Sequence, residues 1–171
     1  MERIIKTMDD KHRAKTLNFV EKVFTEYQDA NEGKTVRVLV EEIRSKKYYL
    51  PELELLMLED GEVIGYVMFS RFHIEGKYED RLVILTPAAV KTSCQRQGIS
   101  RELIEYGFRK AAEMGFTAAL VEGNPANYRA RGFNTSARHG IVADASVHLP
   151  HEDCMMVAEL PLMVAVGQTS A

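Results

Sequence analysis

The run Lys91-Thr92-Ser93-Cys94-Gln95-Arg96-Gln97-Gly98-Ile99-Ser100 is polar, holds a single glycine, and sits between an apolar run that reads as a strand and an amphipathic run that reads as a helix. Such a place binds anions. The first amides of a helix have no intrahelical acceptor and the helix dipole adds partial positive charge, so a phosphate there accepts several main-chain hydrogen bonds at once. Gly98 has no Cβ to keep the main chain off a phosphate, and Arg96 and Lys91 could bring side-chain charge to a second one. The chemistry is that of a diphosphate. One glycine in a strand-loop-helix crossover is common, and on these residues alone a plain turn stays open.

Other signals carry less. Gly33-Lys34-Thr35 ends like a nucleotide-binding P-loop, but the position five before Gly33, where a glycine is needed, is Gln28, and a helical pattern rather than a strand precedes it. His148, His151 and Cys154, with His139 upstream, are residue types that zinc accepts. Leu149-Pro150 breaks any helix that would align them, so a turn leading into a strand is expected and no metal. Cys94 beside a helix start and Arg96 could have a lowered pKa, yet a passive small residue is the simpler expectation. Asn134-Thr135-Ser136 reads as a polar turn.

The elements that must position the loop follow from periodicity. Thr7 and Asp10 are spaced like a capping box, and Leu17, Val20, Phe24 and Tyr27 predict a helix ending near Gln28. After a polar break over Asp29 to Gly33, Val36, Leu39, Val40 and Ile43 predict a second, short helix, so two helices precede the first strand. Leu53 to Leu58 and Val63 to Phe69 flank Asp60-Gly61, the pairing expected of a hairpin, and Gly65 inside the second run predicts a bulge or a close backbone approach. A polar turn over Phe72 to Asp80 leads to a third strand at Leu82 to Leu85. Past the loop, Leu103, Ile104, Phe108, Ala111 and Ala112 form a helical stripe, Gly115 caps it, and Phe116 to Val121 returns as a parallel strand. A short helix near Pro125 to Arg131, a His-rich loop and a strand at Met155 to Leu160 complete the pattern, with Leu162 to Val166 as a further edge strand or a partner surface.

Composition bounds the class. A chain of 171 residues, 46% hydrophobic and 27% charged, reads as one soluble domain able to build a core without disulfides. Lys plus Arg number 22 against 25 Asp plus Glu, a net charge of −3, which argues against coating nucleic acid or an anionic membrane. The start of the chain is charged, no apolar run reaches membrane-span length, and 2 cysteines make no disulfide framework, so the cytosol is the expected location.

Leu85-Thr86-Pro87-Ala88-Ala89-Val90, then Gln95 to Ser100, then the amphipathic helix, Gly115-Phe116, and Gly123-Asn124-Pro125-Ala126-Asn127-Tyr128-Arg129-Ala130-Arg131-Gly132-Phe133 together resemble the GCN5-related N-acetyltransferases, in their small bacterial-type branch. The resemblance runs from about Leu53 to Leu160. It implies a mixed α/β fold, a mostly antiparallel central sheet with flanking helices, known as the acyl-CoA N-acyltransferase (GNAT) fold. It also implies transfer of an acetyl group from acetyl-CoA to a primary amine by direct attack in a ternary complex. Under it, the main chain of Gln95, Arg96, Gln97, Gly98, Ile99 and Ser100 holds the pyrophosphate, that of Ala88, Ala89 and Val90 bonds the pantetheine arm and polarises the thioester carbonyl, and Asn124 joins the cofactor-binding set. Tyr128 matches the family's proton donor to the leaving thiolate. A phenol of pKa about 10 is a weaker acid than a thiol of about 8.5, so its proton must move in concert with bond breaking.

Ser100 stands where glycine or alanine is commonest, Thr92 where proline is common, and Asn127-Tyr128 replaces a tyrosine pair. These departures motivate an alternative, a catalytically inactive module that binds or senses acyl-CoA. The general base is open between Glu122, His73, Glu75 and water. The expected acceptor is a small-molecule or peptide amine, with Glu75, Glu79, Asp80, Asp144, Glu152 and Asp153 as acidic residues able to attract it, and a homodimer as the candidate assembly.

Overall fold

Strand residues that alternate between two helical layers decide how the chain is built. A computed structural model describes residues 2–74, 77–122, 125–136 and 155–160. In chain order they form β1 (Arg3–Thr7), α1 (Asp10–Tyr27), α2 (Ala30–Arg44), β2 (Glu54–Glu59), β3 (Glu62–Ile74), β4 (Lys77–Val90), α3 (Ile99–Glu113), β5 (Ala118–Glu122), α4 (Pro125–Arg129), β6 (Asn134–Thr135) and β7 (Met155–Glu159). The sheet has seven strands in the order β1-β2-β3-β4-β5-β7-β6, and the registers of β1/β2, β2/β3, β5/β7 and β6/β7 are antiparallel while that of β4/β5 is parallel. The fold is thus the mixed α/β architecture expected. The chain divides into two compact units, one of Met1–Ser70 with Thr86–Gly107, the other of Arg71–Leu85 with Phe108–Ala171.

In the first unit, β2 is buried from Glu54 to Leu58, which is why its sequence is a continuous apolar run instead of an alternation. On β3, Tyr66 and Met68 pack with Val20 and Val23 of α1, Val36, Val40 and Ile43 of α2, and Ala89 of β4. The intervening residues face α3. A β-carbon on Gly65 would lie 2.6 Å from Ile99 Cγ2 and 2.8 Å from Leu103 Cδ1, and one on Gly107 would collide with the Phe69 ring. Two glycines, one on the strand and one on the helix, let α3 lie directly on β3. Each fully buried Leu, Ile or Phe here contributes about 1.5–3 kcal/mol.

The hairpin turn is as expected: Asp60 and Gly61 have φ of 49° and 85°, the paired positive values a two-residue turn needs. So is the irregularity at Gly65. Met57 pairs with Gly65 but Leu58 with Val63, which leaves Ile64 as the extra residue of a β-bulge.

A buried ionic cluster joins α2, β2 and β3. The Glu54 carboxylate is inaccessible to solvent and accepts from Arg44 Nε at 2.8 Å, Tyr49 Oη at 2.5 Å and Tyr66 Oη at 2.6 Å. Arg44 donates further to the Arg13 carbonyl at 3.2 Å and to Thr16 Oγ1 at 3.1 Å. Burying a charge this deeply is tolerable only because both carboxylate oxygens are hydrogen-bonded.

In the second unit, β5 runs parallel to β4 with Leu82, Val83 and Ile84 opposite Ala118, Ala119 and Leu120. Leu82, Leu120 and Val157 form its apolar centre, and the Arg71 guanidinium lies 5.5 Å from the Phe116 ring centroid. Gly115, at φ 98°, ends α3 as its place in the sequence requires.

The structure corrects several sequence expectations. A strand, β1, precedes the two helices; its five residues RIIKT offer too little apolar pattern to announce a strand, and it is made by pairing with β2. The cap of α1 is Asp9, whose carboxylate accepts from the His12 amide, instead of Thr7. The α2 helix begins at Ala30, capped by Asp29, so the expected polar break is its first turn. Gly33 is therefore a helix-crossing residue, since a β-carbon there would run into Thr25 of α1, and this accounts for the glycine of the P-loop look-alike. The β3 and β4 strands extend through most of the expected turn over Phe72 to Asp80. Asn134 and Thr135 form β6 against β7 in place of a polar turn. His139, His148, His151, Cys154 and the Leu162 to Val166 segment lie outside the described residues.

Candidate functional site

The phosphate-binding candidate belongs to the first unit. Ala88, Ala89 and Val90 end β4, Ala89 being buried and its two neighbours partly so. The Lys91 amide then donates to the Ile64 carbonyl at 2.9 Å, so the bulge residue holds the chain where it leaves the sheet. A single 3₁₀ turn over Thr92–Cys94 follows, and Thr92 Oγ1 donates to Glu26 of α1 at 2.8 Å.

Next, Gln95, Arg96, Gln97 and Gly98 are all exposed, and Arg96 and Gly98 have φ of 63° and 78°. The Gly98 carbonyl accepts the Glu102 amide at 3.0 Å, which makes Gly98 the residue that opens α3. Among the described residues, the amides of Arg96, Gln97, Gly98 and Ile99 meet no acceptor. A β-carbon on Gly98 would meet no atom within 4 Å. The sequence therefore delivers an open patch of main-chain donors at a helix start, which fits a diphosphate. Ser100, partly buried in the first turn, keeps a hydroxyl at the same corner.

One side-chain assignment changes. Lys91 Nζ is 2.7 Å from Glu62 Oε1, so its charge is matched by a carboxylate and not left for a phosphate. Arg96 stays exposed at the turn. Arg3 was missed altogether: its Nη2 donates to Gln97 Oε1 at 2.5 Å from a strand no local pattern announced.

Tyr128 belongs to the second unit, in α4. Its ring meets Phe133 edge-on at 5.6 Å between centroids, Phe133 meets Phe108 in the same way at 5.4 Å, and the Arg131 guanidinium lies 5.9 Å from the Tyr128 ring centroid. The Tyr128 carbonyl accepts the amides of Arg131 at 2.9 Å and Phe133 at 3.1 Å, which fixes the short helix to the turn at Gly132. Burial pushes the phenol pKa above its ordinary value and Arg131 partly opposes this. The phenol thus holds its proton at neutral pH.

His73 and Glu122 are both exposed, one on β3 and the other at the end of β5. Asn124 and Glu75 lie outside the described residues, as do Asp144, Glu152 and Asp153. Among the described residues no helix is long and apolar enough to cross a membrane.

Comparison with known proteins agrees with this reading of the fold. The family described as "Acetyltransferase (GNAT) family" matches residues 16–136. The chain belongs to that family. Over 83 residues it is 35% identical to a protein of Escherichia coli (strain K12) named Uncharacterized N-acetyltransferase YhbS, a match covering 48% of this chain and 49% of that one. Over 112 residues it is 30% identical to Uncharacterized N-acetyltransferase YjhQ of the same organism, covering 64% of this chain and 62% of that one. The matched segments thus span about half to three fifths of these curated relatives.

Solved structures share the fold. A crystal structure of the Escherichia coli GNAT family N-acetyltransferase (YhbS) in complex with CoA superposes with a TM-score of 0.76 at 24% identity, covering 94% of this chain and 83% of that one. A GNAT family acetyltransferase from Brucella melitensis in complex with acetyl-CoA does so with a TM-score of 0.71 at 22% identity, covering 94% and 92%.

Proposed function

We propose that this chain, over residues 1–171 as one domain, is an acetyl-CoA-dependent N-acetyltransferase that acts in the cytosol on the primary amine of a small molecule or peptide by direct attack in a ternary complex. The observation that carries the reading is the patch of unengaged amides from Arg96 to Ile99 at the start of α3, in a chain of the GNAT family. Relatives of the same fold are complexes with CoA and acetyl-CoA, which supports the choice of diphosphate ligand.

Acetyl-CoA supplies an activated thioester when bound. The amides of Arg96 to Ile99 hold its diphosphate, flanked by Gln95, whose own amide is given to the Thr92 carbonyl, and by Ser100, with Arg96 adding charge and Asn124 joining the binding set. The main chain of Ala88, Ala89 and Val90 bonds the pantetheine arm and directs a donor at the thioester carbonyl, where negative charge develops as an amine attacks. Tyr128 gives its proton to the leaving thiolate. Its raised pKa keeps that proton in place across the working pH range, at the cost of a transfer that must accompany bond breaking. Glu122 and His73, both exposed, are the described candidates to take the amine proton, directly or through water.

Calorimetric titration with acetyl-CoA tests the cofactor, and release of free thiol with a panel of amines tests the transfer. Saturable binding and amine-dependent thiol release are expected. Binding without release on any amine would identify a sensor of acyl-CoA instead, and no binding at millimolar concentration would remove the reading altogether. Sedimentation of the purified protein reads whether it is a homodimer.

A further inference from the structure

Arg3 stands outside the segment that matches the family, yet it reaches the centre of the candidate diphosphate turn. Its main chain is fixed twice over. It lies opposite Glu59 in the β1/β2 register, and beside it the Glu2 amide donates to Asp60 Oδ1 at 3.2 Å while the Glu2 carbonyl accepts the Asp60 amide at 3.0 Å. Arg3 Nε donates to Glu59 Oε2 at 2.5 Å, which orients the planar guanidinium, and Nη2 is then aimed at Gln97 Oε1, also at 2.5 Å.

Gln97 is the exposed residue between Arg96 and Gly98, the two with positive φ. Such a turn, free in water, samples other shapes, because a left-handed arginine costs about 1–2 kcal/mol. A charge-assisted bond from a fixed arginine to its central side chain restrains it before any ligand arrives.

We propose that Arg3 is a positioning residue for the cofactor, holding the 95–98 turn through Gln97 in the shape that binds a diphosphate. This rests on the cofactor reading above. Its effect belongs in affinity for CoA and in the KM for acetyl-CoA, not in the chemical step.

The test is calorimetry with CoA on the wild type, Arg3→Met, Gln97→Ala and the double variant, with Arg3→Lys alongside. Each single change is expected to weaken CoA binding about three- to tenfold, the size of one hydrogen bond of this kind, and the double to be no weaker than the worse single. Arg3→Lys keeps the charge but not the fork, and is expected to stay weakened. In turnover, Arg3→Met raises the KM for acetyl-CoA while kcat at saturation is kept. Multiplicative losses in the double variant, wild-type affinity in Arg3→Lys, or unchanged affinity in all variants would each overturn the proposal. If Arg3→Met does not fold, Gln97→Ala and Arg3→Lys make the same comparison. A wild type that fails to bind CoA takes down the cofactor reading itself, whereas binding by wild type and variants alike removes only the role of Arg3.

Discussion

Gly65 of β3 and Ile99 of α3 are in a contact that leaves no room for a methyl group, since a β-carbon on Gly65 would sit 2.6 Å from Ile99 Cγ2. Ile99 is the first residue of α3, and in the proposed function its amide is one of those that hold the diphosphate. Core packing and ligand geometry therefore meet at one point. Gly65→Ala is expected to destabilise the fold by about 1–3 kcal/mol, the usual cost of overpacking, and to weaken CoA binding by moving the helix start. Denaturant titration and calorimetry on one preparation read both. A loss of stability with unchanged CoA affinity would separate the two roles.

Gly98 gives the opposite combination. Its φ of 78° makes any β-carbon unfavourable, by about 1–2 kcal/mol, although no protein atom lies within 4 Å of where it would stand. In the proposed function, that open space is where a phosphate approaches the main chain. Gly98→Ala is expected to lower stability modestly and CoA affinity by about tenfold or more, equivalent to about 1.4 kcal/mol. Comparison of its melting temperature with its CoA titration checks this.

Arg44 and Glu54 show what is at stake in a buried pair. Removing the guanidinium in Arg44→Met leaves an inaccessible carboxylate held by two phenols alone, and is expected to cost about 3–5 kcal/mol in urea unfolding. Glu54→Gln, which keeps a hydrogen-bonding group of the same shape, is expected to cost less.

The same cluster fixes an alkaline limit. Burial, followed by the neighbouring Glu54, raises the Tyr49 phenol to about 12, and Tyr66 is raised for the same reasons. Unfolded phenols titrate near 10, so the stabilising contribution is complete below that pH and is lost as pH rises from about 10 towards 12. Unfolding midpoints measured from pH 8 to 12 are expected to fall over that window, and to fall less in Tyr49→Phe.

Tyr128→Phe tests the acid. Loss of a general acid is expected to lower kcat about 10²–10⁴-fold with CoA affinity kept. Because burial raises this phenol, the part of the alkaline fall in wild-type activity that comes from its ionisation lies above the ordinary phenol range, and Tyr128→Phe lacks that part and keeps only the fall that follows unfolding. A variant with unaltered kcat would move the proton-donor role elsewhere.

Local signals carried much of this architecture. The Asp60-Gly61 turn, the Gly115 cap, the bulge beside Gly65 and the parallel return of β5 all follow from residue types acting on their own backbone, and each is found. The loop at Gln95 to Ser100 was legible for the same reason. What was illegible depends on distance along the chain. The β1 strand exists because β2 pairs with it, Arg3 reaches Gln97 across ninety-four positions, and Lys91 is neutralised by Glu62 from the neighbouring hairpin. Gly33 read as a loop residue because a helix crossing leaves no periodic trace; only the collision with Thr25 explains it.

The bulge at Ile64 turns one sheet carbonyl towards the Lys91 amide, at the root of the diphosphate turn. The turn is thereby tied to β3, which is buried from Val63 to Ser70, although its own residues are exposed. If the proposed function holds, a nucleotide would find these contacts already made, and less of its interaction energy would be consumed in ordering the protein.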